Sequence, residues 1–422
     1  MTPRLRIHMV GQRGVPATWG GVERHVEELG ARLADRGHEV TVWSRAGYDD
    51  GRRRHRGMRV RRAPTVDDKH LEASVHAALA TAAATAARPD IVHLHALGPG
   101  LFAPLPRLAG TRVVQTVHGF DHQRGKWGRV AGSVLRAGAW TSERSPHAVI
   151  GVSRQVADHY ATHGRGLAVH VPNGVATPST PDPSRLARFG IEPDGYVLWV
   201  GRLVPEKAPD LLVRAFARVP GDVRLVICGG SSHTDRYAAK VARLTAADPR
   251  IVLPGVVLGE DLSALYAHTA AFAIPSTLEG LPLTLLEAAA HAAPVVASDI
   301  APHREVLVAD GPGRRLVPAG DVRAVAAGLD RVLTSPTTER AGAEHLRREV
   351  LARYDWDAAA DATEAVYLAV LGRGPVPPAD LAVPPLAPPT VVDDDVVVPA
   401  PVAADRMRTG APRDAVRSAA SR

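Results

Sequence analysis

Residues 5–44 read LRIHMV-GQRGVPATWG-GVERHVEELGARLADRG-HEVTVWS. The apolar run 5–10 reads as a strand, and a glycine-rich loop from Gly11 to Gly21 follows it. Val22, Val26, Leu29 and Leu33 then recur at spacings of 4, 3 and 4, the period of one helix face. Gly37 ends that pattern, and the β-branched run 38–44 is a second strand. Strand, glycine loop, helix and strand in this order open a doubly wound α/β fold.

The same alternation continues outward. Further strands are expected at 58–62, 90–95, 112–118, 148–153 and 168–172, with helices at 71–87 and 127–144. Residues 178–183 (PSTPDP) carry turn chemistry and read as an interdomain linker. A second series follows, with strands at Tyr196–Val200, 223–228, 251–253, Ala271–Ile274, 294–297 and 315–317. Helices are expected between them at 205–217, 235–246, 261–268, Leu283–Ala290 and 321–333. These are two Rossmann-like domains of about 170 residues each, a size usual for single domains. Past Gly372 the composition changes: ten prolines lie between Pro375 and Pro412, with an acidic run at 393–395 and few aromatics. Residues 373–422 are expected to be a disordered Pro-rich tail, because such a segment buries too little apolar surface to offset its ordering entropy.

Composition narrows the class. The 422 residues include 51 Lys+Arg against 44 Asp+Glu, a formal charge of +7, and 45% are apolar, enough for sizeable cores. The single cysteine, Cys228, excludes a disulfide framework and cysteine-built metal centres. Residues 1–20 hold no secretory signal and no run of about 20 apolar residues occurs, so a soluble cytoplasmic protein is expected.

The loops carry the chemistry. Gly11, Gly14, Gly20 and Gly21 precede a helix N-terminus, where free amides favour anions. A nicotinamide-dinucleotide site is the competing reading and fits poorly: its fingerprint needs Gly-x-Gly-x-x-Gly running straight into the helix and an acid closing the second strand. Here the loop is longer and the second strand runs out as Trp43-Ser44-Arg45. After Tyr196–Val200 come Gly201-Arg202-Leu203-Val204-Pro205-Glu206-Lys207, two cations five residues apart beyond a strand's carboxyl end. A guanidinium grips phosphate oxygens bidentately and an ammonium adds a point charge. The competing reading pairs Lys207 with Glu206 or Asp210 on the helix surface. After Ala271–Ile274, Pro275-Ser276-Thr277-Leu278-Glu279-Gly280-Leu281-Pro282 leads into a helix bearing Glu287. Carboxylates at such an edge accept hydroxyl hydrogen bonds from a ribose diol or a sugar ring. Glu287 could equally complement the helix dipole. His93 and His95 share a strand face, but no third ligand is adjacent in sequence, so packing is expected rather than metal.

Glu279-x7-Glu287 with Gly201-Arg202-Leu203…Lys207 resembles the family-4 retaining glycosyltransferases of GT-B fold, over about residues 5–370. Gly11-Gln12-Arg13-Gly14-Val15-Pro16…Gly20-Gly21-Val22-Glu23 and His118-Gly119-Phe120-Asp121 are similar to a bacterial subgroup that includes rhamnosyltransferases and other cell-envelope glycosyltransferases. The resemblance implies an N-terminal acceptor-side domain (1–175) to which a return helix, 356–370, crosses back. It implies a nucleotide-sugar-binding domain at 176–355 and a donor in the cleft between them. Arg202 and Lys207 would neutralise the donor diphosphate, Glu287 would hold ribose hydroxyls, and Glu279 the sugar hydroxyls. The backbone at Gly280, Leu281 and Leu283 would approach the donor, as would the amides of Gly20 and Gly21. His118 would contact the transferred sugar, Asp121 would touch the acceptor, and Asn173-Gly174-Val175 would be a hinge. Retention of anomeric configuration without a metal or other cofactor is implied.

The expected partners are a nucleotide-diphosphate sugar and a saccharide or lipid-linked acceptor. Arg52, Arg53, Arg54, Arg56, Arg59, Arg61 and Arg62, and separately Lys126, Trp127, Arg129, Arg136 and Trp140, suit an anionic membrane surface. The competing reading is a solvated arginine-rich turn. Nucleic acid is not expected, for no aromatics interleave the charge. Rival functions of the same architecture are a nucleotide-sugar epimerase and a non-catalytic nucleotide-sugar-binding protein.

Overall fold

Strands such as Ile91–His95 and Ala148–Gly151 are buried at every residue, so they need helices on both faces of their sheet. That requirement is met twice. The computed structural model describes residues 3–380 apart from 19, 49–50, 67–71, 121–128, 180 and 232–233, with the backbone alone at 129–131. The expectations placed on Asp121, Lys126, Trp127 and residues 381–422 lie outside the described residues.

The first sheet comprises β1 (Arg6–Val10), β2 (Glu39–Arg45), β3 (Arg54–His55), β4 (Met58–Ala63), β5 (Ile91–His95), β6 (Arg112–Val117), β7 (Ala148–Gly151) and β8 (Leu167–His170). Its order is β3-β4-β2-β1-β5-β6-β7-β8, parallel except for the β3–β4 hairpin. The second comprises β9 (Tyr196–Val200), β10 (Arg224–Cys228), β11 (Ile251–Gly255), β12 (Ala271–Ile274), β13 (Val295–Ser298) and β14 (Arg314–Val317), in the order β11-β10-β9-β12-β13-β14, all parallel. In each sheet the chain winds outward one way, returns to the middle, and winds the other way. The reversals fall between β1 and β5 and between β9 and β12, and ligands bind beyond the carboxyl ends of strands at such points.

The helix Trp356–Val370 closes the first core. Asp355 caps it by accepting the Ala358 amide at 2.8 Å, and Trp356, Ala360, Val366 and Tyr367 pack with Leu5, Ile7, Met9 and Leu29. The chain therefore passes between the two sheets twice, at 173–175 and at 354–356. The two passages touch: the Val175 amide donates to the Tyr354 carbonyl at 2.8 Å, and a Cβ on Gly174 would lie 2.4 Å from the Trp356 nitrogen.

Three expectations change. The single helix over 205–217 is broken into a 3-10 turn, Pro205–Lys207, and a helix, Pro209–Phe216, with Ala208 between them at φ 48°. The cause is Pro209, whose ring excludes the preceding residue from the α region. The helices Arg154–His163, Ala301–Leu307 and Pro336–Arg353 were not expected. The disorder expected from 373 onward does not hold for residues 373–380. Residues 373–380 run back to β8, where the His170 amide donates to the Ala379 carbonyl at 2.7 Å and the His170 ring meets Asp380 at 2.7 Å. Asp380 also pairs with Arg154. Among the described residues no helix is long and apolar enough to cross a membrane.

Candidate active site

The loop after β1 is held by the helix that follows it, Gly21–Asp35. Glu23 accepts the Arg13 amide at 3.1 Å and Glu27 accepts the Ala17 amide at 2.9 Å. Gly11 is required where β1 meets β5, because a Cβ there would lie 2.3 Å from the His95 carbonyl oxygen. Gly20 adopts φ +133° and opens the helix. At Gly21 a Cβ would stand 3.9 Å from Leu283 Cδ1, so the two expected donor-binding loops face each other across the cleft. The Gly280–Leu281 loop also abuts the segment just past β6: a Cβ on Gly280 would lie 1.9 Å from the His118 carbonyl oxygen.

Beyond β9 and β12 the expected cation and carboxylate meet. Lys207 Nζ donates to Glu279 Oε1 at 2.7 Å, with side chains 15% and 9% exposed. Ser276 Oγ donates to the same carboxylate oxygen at 2.8 Å. Burial pushes the Glu279 carboxyl upward, but the Lys207 ammonium, His303 and the Ser276 hydroxyl outweigh it and hold the group below its ordinary value. The helix-surface reading of Lys207 fails, since Asp210 is taken by Lys240 and Tyr237. Lys207 and Glu279, expected at the diphosphate and at the sugar, thus lie together as one ion pair. Arg202 is half-buried in the same loop. Glu287, in the helix Leu283–Ala290, accepts from the Tyr266 hydroxyl at 3.2 Å. Burial raises its carboxyl, while Arg24 of the first helix and the Tyr266 bond work the other way. The Leu281 carbonyl accepts from Asn173 Nδ2 at 3.2 Å.

Asn173 does more than mark a hinge. Its Oδ1 meets His25 Nδ1 at 2.8 Å, tying the first helix to the Gly280–Leu281 loop. His25 in turn lies edge-on to His118, with ring centroids 4.7 Å apart, and to His95 at 5.4 Å. Burial lowers His25 to about 4 and holds His95 well below the usual imidazole range, so both are neutral near pH 7. His93 is a packing residue as expected: Tyr367 Oη lies 2.6 Å from Nδ1 and Thr116 Oγ1 2.7 Å from Nε2. The expectation that His95 has no third ligand nearby is corrected, since the fold brings His25 and His118 to it. Nothing local in sequence signals this; the three come from a helix, a strand end and a loop. Arg24, His25 and Asn173 are the site residues that sequence reading missed or undervalued.

The arginine-rich turn is partly spent inside the molecule: Arg56 pairs with Glu28 at 2.9 Å, Arg59 with Glu39 at 3.5 Å, and Arg61 lies over Trp43. Trp140 is 58% exposed and Leu108 87% exposed; Arg107 and Arg144 line one cavity near them.

Two family profiles match the chain: Glycosyltransferase Family 4 over residues 19–178, and Glycosyl transferases group 1 over residues 194–335. Over 367 residues the chain is 30% identical to the GDP-mannose-dependent alpha-(1-6)-phosphatidylinositol monomannoside mannosyltransferase of Mycolicibacterium smegmatis. That match covers 81% of this chain and 93% of the relative. Sucrose-phosphate synthase from Thermosynechococcus elongatus superposes with a TM-score of 0.74 at 22% identity, over 87% of this chain and 100% of that one. HepE from Anabaena, solved in complex with UDP and glucose, superposes with a TM-score of 0.73 at 18% identity over the same shares, 87% and 100%. The two parallel sheets and the cleft between them are the GT-B fold.

Proposed function

This chain belongs to the family-4 glycosyltransferases and performs nucleotide-sugar glycosyl transfer, and from that premise we propose its particulars. It moves a hexose or deoxyhexose from a nucleotide-diphosphate sugar to a saccharide or lipid-linked acceptor of the cell envelope or an exopolysaccharide. The configuration is retained and no divalent metal takes part. Residues 176–355 hold the donor, and residues 1–175 with the return helix receive the acceptor.

The observation that carries this reading is the convergence of both strand-reversal points on one cleft, with Gly280 against His118 and Gly21 against Leu283. Arg202 and Lys207 stand where a departing diphosphate gathers negative charge, and fixed charges aimed at such a group are the largest usual catalytic contribution. An ammonium has three donors, so Lys207 keeps capacity for phosphate oxygens beyond its bond to Glu279. Glu287 takes the ribose hydroxyls and Glu279 the sugar hydroxyls. His118 contacts the sugar, and the Gly20–Gly21 amides approach the phosphates. Attack comes from the face the diphosphate leaves, its oxygen taking the acceptor proton, so no side chain serves as a covalent nucleophile. Trp140 and Leu108 beside Arg107 and Arg144 favour peripheral contact with an anionic bilayer on the cytoplasmic side, where a lipid-linked acceptor is presented.

The test is nucleotide-diphosphate release from UDP-, GDP-, ADP- and dTDP-sugars by the purified protein, with and without EDTA, alongside thermal stabilisation by each. Stabilisation by one series and release unaffected by EDTA are expected. Loss of turnover in EDTA overturns metal independence, and binding with no release under any acceptor favours the non-catalytic binding protein.

A further inference from the structure

Beside the Lys207–Glu279 pair stands a fully buried histidine with no direct part in the transfer. His303 lies in the helix Ala301–Leu307, just past β13. Its Nδ1 is 2.7 Å from the Ser298 carbonyl oxygen and 3.3 Å from Ser298 Oγ. A carbonyl oxygen only accepts, so the proton sits on Nδ1 and Nε2 presents a bare lone pair. That second nitrogen is enclosed and has no hydrogen-bond partner among the described residues. An orphaned buried acceptor is unfavourable, and an apolar side chain of similar volume would avoid it. Packing therefore does not explain an imidazole here; its single donor does.

That donor opens a series of hydrogen bonds ending on the charged pair. Ser298 Oγ donates to the Ser276 carbonyl, so only its lone pairs face His303 Nδ1. Held in this way at the carboxyl end of β12, Ser276 turns its hydroxyl onto Glu279 Oε1 at 2.8 Å. The same oxygen takes Lys207 Nζ at 2.7 Å. Thr277 donates its amide to the Glu206 carbonyl at 2.8 Å, which joins the loop after β12 to the turn Pro205–Lys207. Ser276 and Ser298 are both buried, so protein groups rather than bulk water orient them. Burial lowers the His303 ring to about 4 against the pull of Glu279 and Asp299, with Lys207 acting in the same direction as burial. The ring is therefore neutral near pH 7.

We propose that His303 is a positioning residue for the donor: through Ser298 and Ser276 it fixes the Glu279 carboxylate, and with it the direction in which Lys207 presents its remaining N–H groups to the diphosphate. This rests on the assignment of Lys207 and Glu279 to the donor. His303 itself touches no substrate. Small displacements of groups around a reacting centre are felt strongly in the rate, so loss of the bracket is expected to lower donor use at least about tenfold.

The experiment uses the full chain with its matched donor and acceptor. It measures kcat/KM for the donor, KM for the acceptor, and calorimetric binding of UDP, GDP, ADP and dTDP. His303→Leu should lower donor kcat/KM and weaken nucleoside-diphosphate binding at least about tenfold, with acceptor KM unchanged. His303→Asn, whose amide nitrogen can donate where Nδ1 does, should recover most of that loss. Ser298→Ala should reproduce it, and the double variant Ser298→Ala/His303→Leu should be no worse than His303→Leu alone, because both remove one connection. Donor kcat/KM within threefold of wild type in His303→Leu, an equal rise in acceptor KM, no recovery in His303→Asn, or additive losses in the double variant would each overturn the proposal. Should His303→Leu fail to fold by circular dichroism, Ser298→Ala decides, and a donor kcat/KM within threefold of wild type there overturns it. A wild-type protein that neither binds a nucleoside diphosphate nor releases one from a nucleotide sugar would instead bring down the transfer reading, and this proposal with it.

Discussion

Gly280→Ala isolates the contact between the two halves of the cleft. The backbone at 280 is not in the left-handed region, so alanine meets no conformational penalty there. The obstacle is space. Its Cβ would lie 1.9 Å from the His118 carbonyl oxygen, 2.7 Å from the carbonyl carbon and 3.2 Å from the Gly119 nitrogen. All three are backbone atoms, and no rotamer change relieves them. To restore even a 3.0 Å contact the two loops must part by at least about 1.1 Å. Displacements of about 1 Å at a reacting centre cost on the order of 10²-fold, equivalent to about 2.7 kcal/mol of barrier. The strain itself costs about 1–3 kcal/mol if the loops do not part. Initial rates of nucleotide-diphosphate release with the matched donor and acceptor measure the effect, and melting curves follow stability. kcat/KM should fall about a hundredfold while the fold persists. Gly98→Ala, whose Cβ meets nothing within 4 Å, should match wild type in both measurements. A Gly280→Ala enzyme within threefold of wild-type kcat/KM would refute the reasoning, for it would mean that the His118–Gly280 contact does not set the working geometry.

Two further outcomes follow from the charged pair and from the ribose carboxylate. Lys207→Ala strands a nearly buried Glu279, which costs about 3–5 kcal/mol when a buried ion pair loses one partner; adding Glu279→Gln should recover most of that in urea melts without restoring turnover. A failure of the double variant to regain stability would deny the pair its structural weight. Glu287 has a raised carboxyl, so the folded state favours its protonated form and loses that advantage as pH rises above the ordinary value of 4.5. Glu287→Gln should therefore gain stability over wild type increasingly as pH rises above about 4.5 in the absence of donor, while losing donor-induced stabilisation. A stability difference that is flat or reversed in sign across that range contradicts the burial argument.

The alternation of strands and helices was legible because buried strands spell short apolar runs, as Tyr196–Val200 and Ala271–Ile274 do to the residue. Pro336–Arg353 escaped notice because its apolar positions are sparse among Arg, Glu and Ala, giving little periodicity to read. Pro209 did announce the break at Ala208, but the apolar spacing on both sides masked it. In the site, the loops were readable and their pairings were not. Lys207 finds Glu279 from 72 positions away, and His25 finds Asn173 from 148. Such pairs depend on which strand ends the topology makes neighbours, and no local pattern records that. Residues 373–380 misled for a related reason: their composition is that of a tail, yet His170 and Arg154 offer Asp380 two cationic or protonatable partners.

The twice-crossed boundary between the sheets bears on the order in which the protein is made. Trp356, Ala360, Val366 and Tyr367 belong to the same core as Leu5, Ile7 and Met9, so the first 175 residues leave the ribosome with part of their interior still unsynthesised. The second sheet, complete by Val317 and covered by Pro336–Arg353, has its own residues in hand sooner. A chain that begins with one half finishes that half last. Domains usually fold as units in the order of synthesis, the N-terminal one first; here the N-terminal unit must wait for the last helix of the fold to arrive.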